Sequence, residues 1–488
     1  MSPSVILVCI SLYFVGLFFL SRRVQGKGDN TTFFTGNRSS PWYLVAFGMI
    51  GASLSGVTFI SIPGVVGAGG ANQAFSYMQM VLGYVLGYAF ITTVLLPLYY
   101  RMNVTSIYEI LEQRLGWGAY KAGASFFLIS RSIGAALRLY LVALVLDIFI
   151  FSSFGVPFFV TVGMTILLIW IYTFKGGIQT IVWTDTLQTL FMIVAVVFSI
   201  YGLSEAINPD ESWISLVRKS DYSRWFFFEG GWEDPNNFFK QFFAGALITV
   251  VMTGLDQDMM QKNLTCRNLK EAQVNMSTFS IVLVFVNMLF LSLGVLLYLF
   301  AIQKGIAIPE KTDQLYPTIA LQHLSSWVGL VFILGLIAAA YSTADSALTS
   351  LTTSFCVDFL DLDEAQRQDV NSERTRWRVH IGFSVLLFII IVLFHQLNSD
   401  AVINGLFTAA GYTYGPILGL FAHALIWPNQ KLKRSHWLII VLCFVAPMIT
   451  YVLDVNDLFC GFKIGFLNLL LNGIVSFVLI LLTKRIDK

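Results

Sequence analysis

Runs of roughly twenty apolar residues, separated by charged or by polar and glycine-bearing stretches, recur from residue 3 to residue 482. A run of that length crosses a bilayer as a helix, and inside lipid only helices or closed barrels satisfy their own backbone. With 56% hydrophobic and 12% charged residues, and a mean hydropathy of +0.74, the chain lies outside the soluble globular range. It reads as an all-α polytopic membrane protein with about thirteen transmembrane helices. The first run has no basic residue before it and Arg22 and Arg23 after it, so it reads as a retained span rather than a cleaved signal. The outer loops then hold only Arg218, Lys219, Arg224, Lys304, Lys311 and Lys463, and almost every other Lys and Arg falls on an inner loop. That asymmetry places the N terminus outside and the C terminus in the cytoplasm. The basic residues are topological, and the net charge of +2 points to no nucleic-acid partner.

Neither cysteines nor histidines supply a site. Cys9, Cys266, Cys356, Cys443 and Cys460 are scattered, with only Cys460 on an outer loop, so no disulfide framework follows. The five histidines lack metal-ligand spacing. Sequons at Asn30, Asn37, Asn103, Asn263 and Asn275 fall on inner loops or membrane edges, which fits an unglycosylated protein of a bacterial inner membrane.

Chemistry concentrates in residues 335–349, GLIAAAYSTADSALT. Ser342, Asp345, Ser346 and Thr349 share one helical face, with Thr343 beside it. Ionisable and hydroxyl groups inside a membrane helix mark an ion path. Oxygens of carboxylate, hydroxyl and backbone are what a hard cation such as sodium needs once dehydrated.

Two spans carry helix-weakening sequence at mid-depth, around residues 48–64 (GMIGASLSGVTFISIPG) and 242–262 (FFAGALITVVMTGLDQDMMQK). Their glycines and serines allow close helix packing or a break whose freed backbone groups line a cavity. Because they lie five spans apart, at matching places in successive five-span units, the second reading is favoured.

These stretches resemble the sodium/solute symporter family, most closely its bacterial sialic acid and monocarboxylate-like branch. YTFKGGIQTIVWTDTLQ (residues 172–188) is similar to the signature leading into the fifth core span. LSGVTFISIPG (54–64), QDMMQK (257–262) and AAAYSTADSALTS (338–350) resemble the first, sixth and eighth core spans. The resemblance implies a LeuT-type 5+5 inverted repeat with discontinuous first and sixth core helices. Residues 1–40 would form a leading helix and inner loop, 41–206 the first repeat and 207–236 an outer loop. Residues 237–427 would form the second repeat and 428–488 two further helices.

The resemblance also implies site residues. The main sodium would be held by the backbone carbonyls of Gly51, Leu54 and Ala339 with the hydroxyls of Ser342 and Thr343. Asp185, Ser342, Asp345 and Ser346 are candidates for a second cation. Serine is usual in the family where Asp345 stands; its carboxylate could tighten a second sodium, carry a proton, or pair structurally with a cation such as Arg131. Solute-site candidates are Ser55, Thr58, Gln79, Asp256, Gln257, Tyr412 and Thr413. Arg131 and Arg138, seven residues apart on one helix face, suit carboxylate recognition or a structural salt bridge. Asp258 and Lys262, at i and i+4, read as an ion pair at the cytoplasmic edge.

The expected function is sodium-coupled symport of a small organic solute by alternating access, with sodium as the co-transported ion and the lipid bilayer as surroundings. The solute reads as an acidic sugar or small carboxylate, with a neutral sugar or polyol as the alternative; the oligomeric state reads as monomeric. A membrane-embedded hydrolase would need a base beside Ser342 or Ser346, and the sequence offers no nearby histidine or lysine. Each sodium moved down about 100 mV releases roughly 2.3 kcal/mol, and a tenfold gradient adds about 1.4 kcal/mol. A monoanion carried with one sodium forfeits the electrical part, so a second sodium would be valuable.

Overall fold

The computed structural model describes residues 3–24, 30–67, 73–173, 177–231, 234–362, 370–397, 402–428, 436–455 and 467–487, which are helices and their connecting turns. In chain order the principal helices are α1 (Pro3–Val24), α2 (Trp42–Ser53), α3 (Gly56–Val65), α4 (Tyr77–Met102), α5 (Trp117–Phe149), α6 (Phe158–Thr173), α7 (Gly177–Ile207) and α8 (Phe238–Gly254). They continue as α9 (Gln257–Asn263), α10 (Leu269–Lys304), α11 (Ser326–Phe359), α12 (Val370–Leu397), α13 (Val402–Thr413), α14 (Gly415–Ile426), α15 (His436–Val455) and α16 (Asn468–Asp487).

Among the described residues, eight of these helices are long and apolar enough to cross a membrane. Two more crossings are bent pairs: α2 and α3 meet at 56°, α8 and α9 at 68°. Both bends fall where glycine and serine weaken the sequence. At the first, Ser55 turns extended (ψ 172°) between Ser53 and Gly56, and the helix restarts with Phe59 N bonded to the Ser55 carbonyl at 3.1 Å. At the second, Asp256 caps α9, its Oδ1 accepting from Asp258 N at 3.0 Å and Met259 N at 3.3 Å. The carbonyls freed there are captured by tyrosines: Tyr99 donates to Gly254 O at 2.6 Å and Tyr108 to Leu255 O at 3.0 Å. A break deep in a membrane protein is tolerable because its polar groups are satisfied from neighbouring helices.

The broken pairs sit at the centre. α7 packs against α2 and α11, and α4 packs against α8. The α4–α8 seam closes to backbone contact, for a Cβ built on Gly83 would lie 2.0 Å from Phe242 O and one on Gly245 2.2 Å from Met80 O. α2 and α9 share one end of the molecule, and α3 and α8 line the cavity toward the other. All seven residues of α9 are buried, so the α2/α9 end is closed. Asn30, Asn263 and Asn275 are buried as well, which bars glycosylation at those sequons. Cys460 lies outside the described residues.

Candidate functional site

Gly51 meets Ser342 where α2 packs on α11; Leu54 follows the last residue of α2, and Ala339 and Thr343 lie on α11 within a turn of Ser342. A Cβ on Gly51 would stand 3.2 Å from Ser342 Oγ and 2.2 Å from Thr189 Oγ1, so only glycine lets the helices close here. Ser342 Oγ donates to Asp185 Oδ1 at 2.7 Å, and Thr343 Oγ1 donates to the Ala339 carbonyl at 3.2 Å. A hydroxyl that donates its hydrogen keeps oxygen lone pairs for a cation. The carboxylate thus orients Ser342 as an acceptor, and neutral oxygens around a small cation suit sodium.

The second-cation candidates divide. Asp185 joins Ser342, but its Oδ2 accepts from Lys262 Nζ at 2.6 Å, with both side chains buried. Ser346 Oγ donates to Asp258 Oδ1, and the other oxygen of Asp258 pairs with buried Arg131. Asp345 Oδ1 accepts from Ser346 N at 2.6 Å. The expected Asp258–Lys262 pair is therefore corrected. Because α9 is wedged among α5, α7 and α11, Asp258 faces Arg131 and Lys262 faces Asp185.

A cavity opens between the two breaks. Ser55, Thr58, Arg131 and Arg138 line it, together with Tyr77, Tyr84, Tyr88 and Asn287. The tyrosines were not anticipated; their spacing, i, i+7 and i+11, is the signal that could have found them. Arg131 is committed to Asp258. Arg138 makes no ion pair among the described residues, and its buried Nε has no hydrogen-bond partner there. A guanidinium with free donors has the geometry to take a carboxylate through paired hydrogen bonds.

The remaining solute candidates lie outside the cavity wall. Gln79 clamps the segment before α8, donating to Asn236 O at 2.8 Å and accepting from Phe227 N at 3.0 Å. Besides capping α9, Asp256 accepts Tyr414 Oη at 2.6 Å. Gln257 donates to Thr105 O at 2.9 Å and accepts from Ile107 N at 2.8 Å, which ties α9 to the turn after α4. Thr413 bonds its own helix at Ala409 O, 2.6 Å, and Tyr412 packs edge-on against Tyr451 with centroids 6.0 Å apart. Polarity drew attention to these side chains, but each is used to hold backbone or helix.

The profile of the sodium:solute symporter family matches residues 33–435. The sodium/sialic acid symporter NanT of Aliivibrio fischeri is 24% identical over 95% of this chain and 90% of its own length. The sodium/sialic acid symporter SiaT of Proteus mirabilis is 23% identical, over 98% and 94%. The human sodium/iodide cotransporter is 23% identical, over 83% and 62%. Among solved structures, a substrate-bound, outward-open Na+-coupled sialic acid symporter superposes with a TM-score of 0.79 at 19% identity, covering 99% of this chain and 97% of that one. MHP1, a nucleobase-cation-symport-1 transporter, gives 0.56 at 13% identity over 93% and 94%. The fold is thus the LeuT-type inverted repeat, and the chain belongs to the sodium:solute symporter family: a multi-pass membrane transporter that couples sodium to a small solute, not an enzyme.

Proposed function

We propose that the co-transported solute is an organic anion, an acidic sugar or small carboxylate, whose carboxylate is held by Arg138. The observation that carries this reading is the unpaired guanidinium in the cavity between the two breaks. The hydroxyls of Ser55, Thr58, Tyr77, Tyr84 and Tyr88 and the amide of Asn287 supply partners for the rest of a hydroxylated solute. Sodium at Gly51, Leu54, Ala339, Ser342 and Thr343 would tie the first break to α11. It thereby favours the form open at the α3/α8 end and raises solute affinity. Release needs α9 to move.

The distribution of Lys and Arg supports placing the α2/α9 end in the cytoplasm and the N terminus outside, in a bacterial inner membrane. The repeats are assigned to residues 41–206 and 237–427, and the working unit is taken as a monomer.

A thermal-shift screen of the purified protein, in sodium and in potassium, tests the reading with N-acetylneuraminate, monocarboxylates, hexoses and polyols. The expected result is stabilisation by a carboxylate solute only in sodium. Arg138→Gln should weaken that solute by about 30-fold or more, the effect of truncating one partner of a buried charge pair, while sodium still stabilises. A hexose or polyol that stabilises the wild type and Arg138→Gln equally would replace the anion with a neutral solute.

A further inference from the structure

A carboxylate buried at the centre of a membrane protein needs a cation. At Asp185 the chain supplies its own. Oδ1 of Asp185 receives Ser342 Oγ at 2.7 Å and Oδ2 receives Lys262 Nζ at 2.6 Å, with Lys262 only 1% exposed. Ser346, which a second mobile cation would use, is turned to Asp258, whose cation is Arg131. We propose that the Lys262 ammonium is a tethered cation occupying the second cation position at Asp185, so that the transporter couples a single mobile sodium.

Two features argue that this pair is more than a structural bridge. The ammonium lies across one carboxylate from Ser342, a hydroxyl of the proposed sodium site, so the two positive charges are read by the same acid. Lys262 also stands in the last turn of α9, the seven-residue half of a broken span. Its backbone is held there because its carbonyl accepts Thr265 Oγ1 at 2.7 Å and Thr265 N at 3.1 Å. When α9 moves to release solute, the ammonium leaves Asp185 with it, as a mobile ion would leave. Unlike that ion it stays with the chain and carries no charge across the membrane. The inference rests on the proposed sodium and anion sites: one sodium with one monoanion makes a cycle that moves no net charge.

Counting bound 22Na+ on the full-length protein tests this without any solute. Wild type should bind one sodium at saturation. Lys262→Gln, with Lys262→Met as a second neutral substitution, should bind two, because Asp185 is freed. Lys262→Arg keeps the tethered charge and should bind one. Two sodium ions on wild type, or one on the neutral variants, would overturn the proposal; a bridge that is only structural predicts the latter. Should neither neutral variant fold, the wild-type count still decides against the proposal if it is two. A count of zero for wild type would remove the sodium site itself, and the inference with it.

Discussion

Arg131 and Arg138 lie two turns apart on α5, touch the same cavity and do different work, because Asp258 reaches only the first. Arg131→Ala leaves Asp258 buried without its cation, a loss of about 3–5 kcal/mol. The melting temperature should fall clearly, and Arg131→Met combined with Asp258→Leu should recover most of it, since an apolar pair of similar volume is often neutral. A double-mutant cycle by thermal melts checks this. Gly51 is a second residue whose size is set by its neighbours. Gly51→Ala drives a methyl into Thr189 Oγ1 and tightens against Ser342 Oγ. Sodium affinity should drop, and Thr189→Ala in the same chain should restore part of it. Equilibrium sodium titration is the measurement. Thr189 carries no motif and its hydroxyl has no hydrogen-bond partner among the described residues, so only its place against Gly51 reveals it.

At the scale of elements, the two breaks are held differently, and the second depends on α4 and on the turn that follows it. Tyr99 and Tyr108 donate to the carbonyls released at Gly254 and Leu255. Replacing both with phenylalanine leaves two buried acceptors unsatisfied, at about 1–3 kcal/mol each. The short α9 should then open more readily than the rest of the bundle. Hydrogen exchange should rise over residues 255–263 while α10, which packs elsewhere along its length, keeps its protection. Equal change across the bundle would show that the tyrosines stabilise the whole fold and not the break.

For the whole molecule, alternating access makes the closed α2/α9 end a function of what is bound. Cys266 lies just beyond α9, fully buried, where burial, reinforced by Glu271, pushes its thiol up to about 12. A thiol so placed is inert near neutral pH. In a chain whose other cysteines are replaced, maleimide should label Cys266 slowly in sodium and faster without it, because only the form with α9 displaced exposes a thiol of ordinary acidity. The sodium dependence should be reciprocal: the factor by which sodium tightens solute must equal that by which solute tightens sodium. Labelling indifferent to sodium would detach α9 from the coupling.

The membrane class, the two breaks and the hydroxylated face of α11 were legible in the residues themselves. Length, hydropathy and the local weakness of glycine and serine are properties of a segment, and lipid leaves a chain few ways to satisfy its backbone. Which acid meets which base was not legible. Asp258 and Lys262 stand one helical turn apart and look paired, yet Asp258 turns to Arg131 and Lys262 to Asp185, 127 and 77 residues away in sequence. Gln79 and Gln257 look like solute ligands until neighbouring backbone is seen to claim them. Side-chain partners inside a bundle are set by which helices touch, and that is decided only when glycine seams such as those at Gly51 and Gly83 let distant segments close on one another.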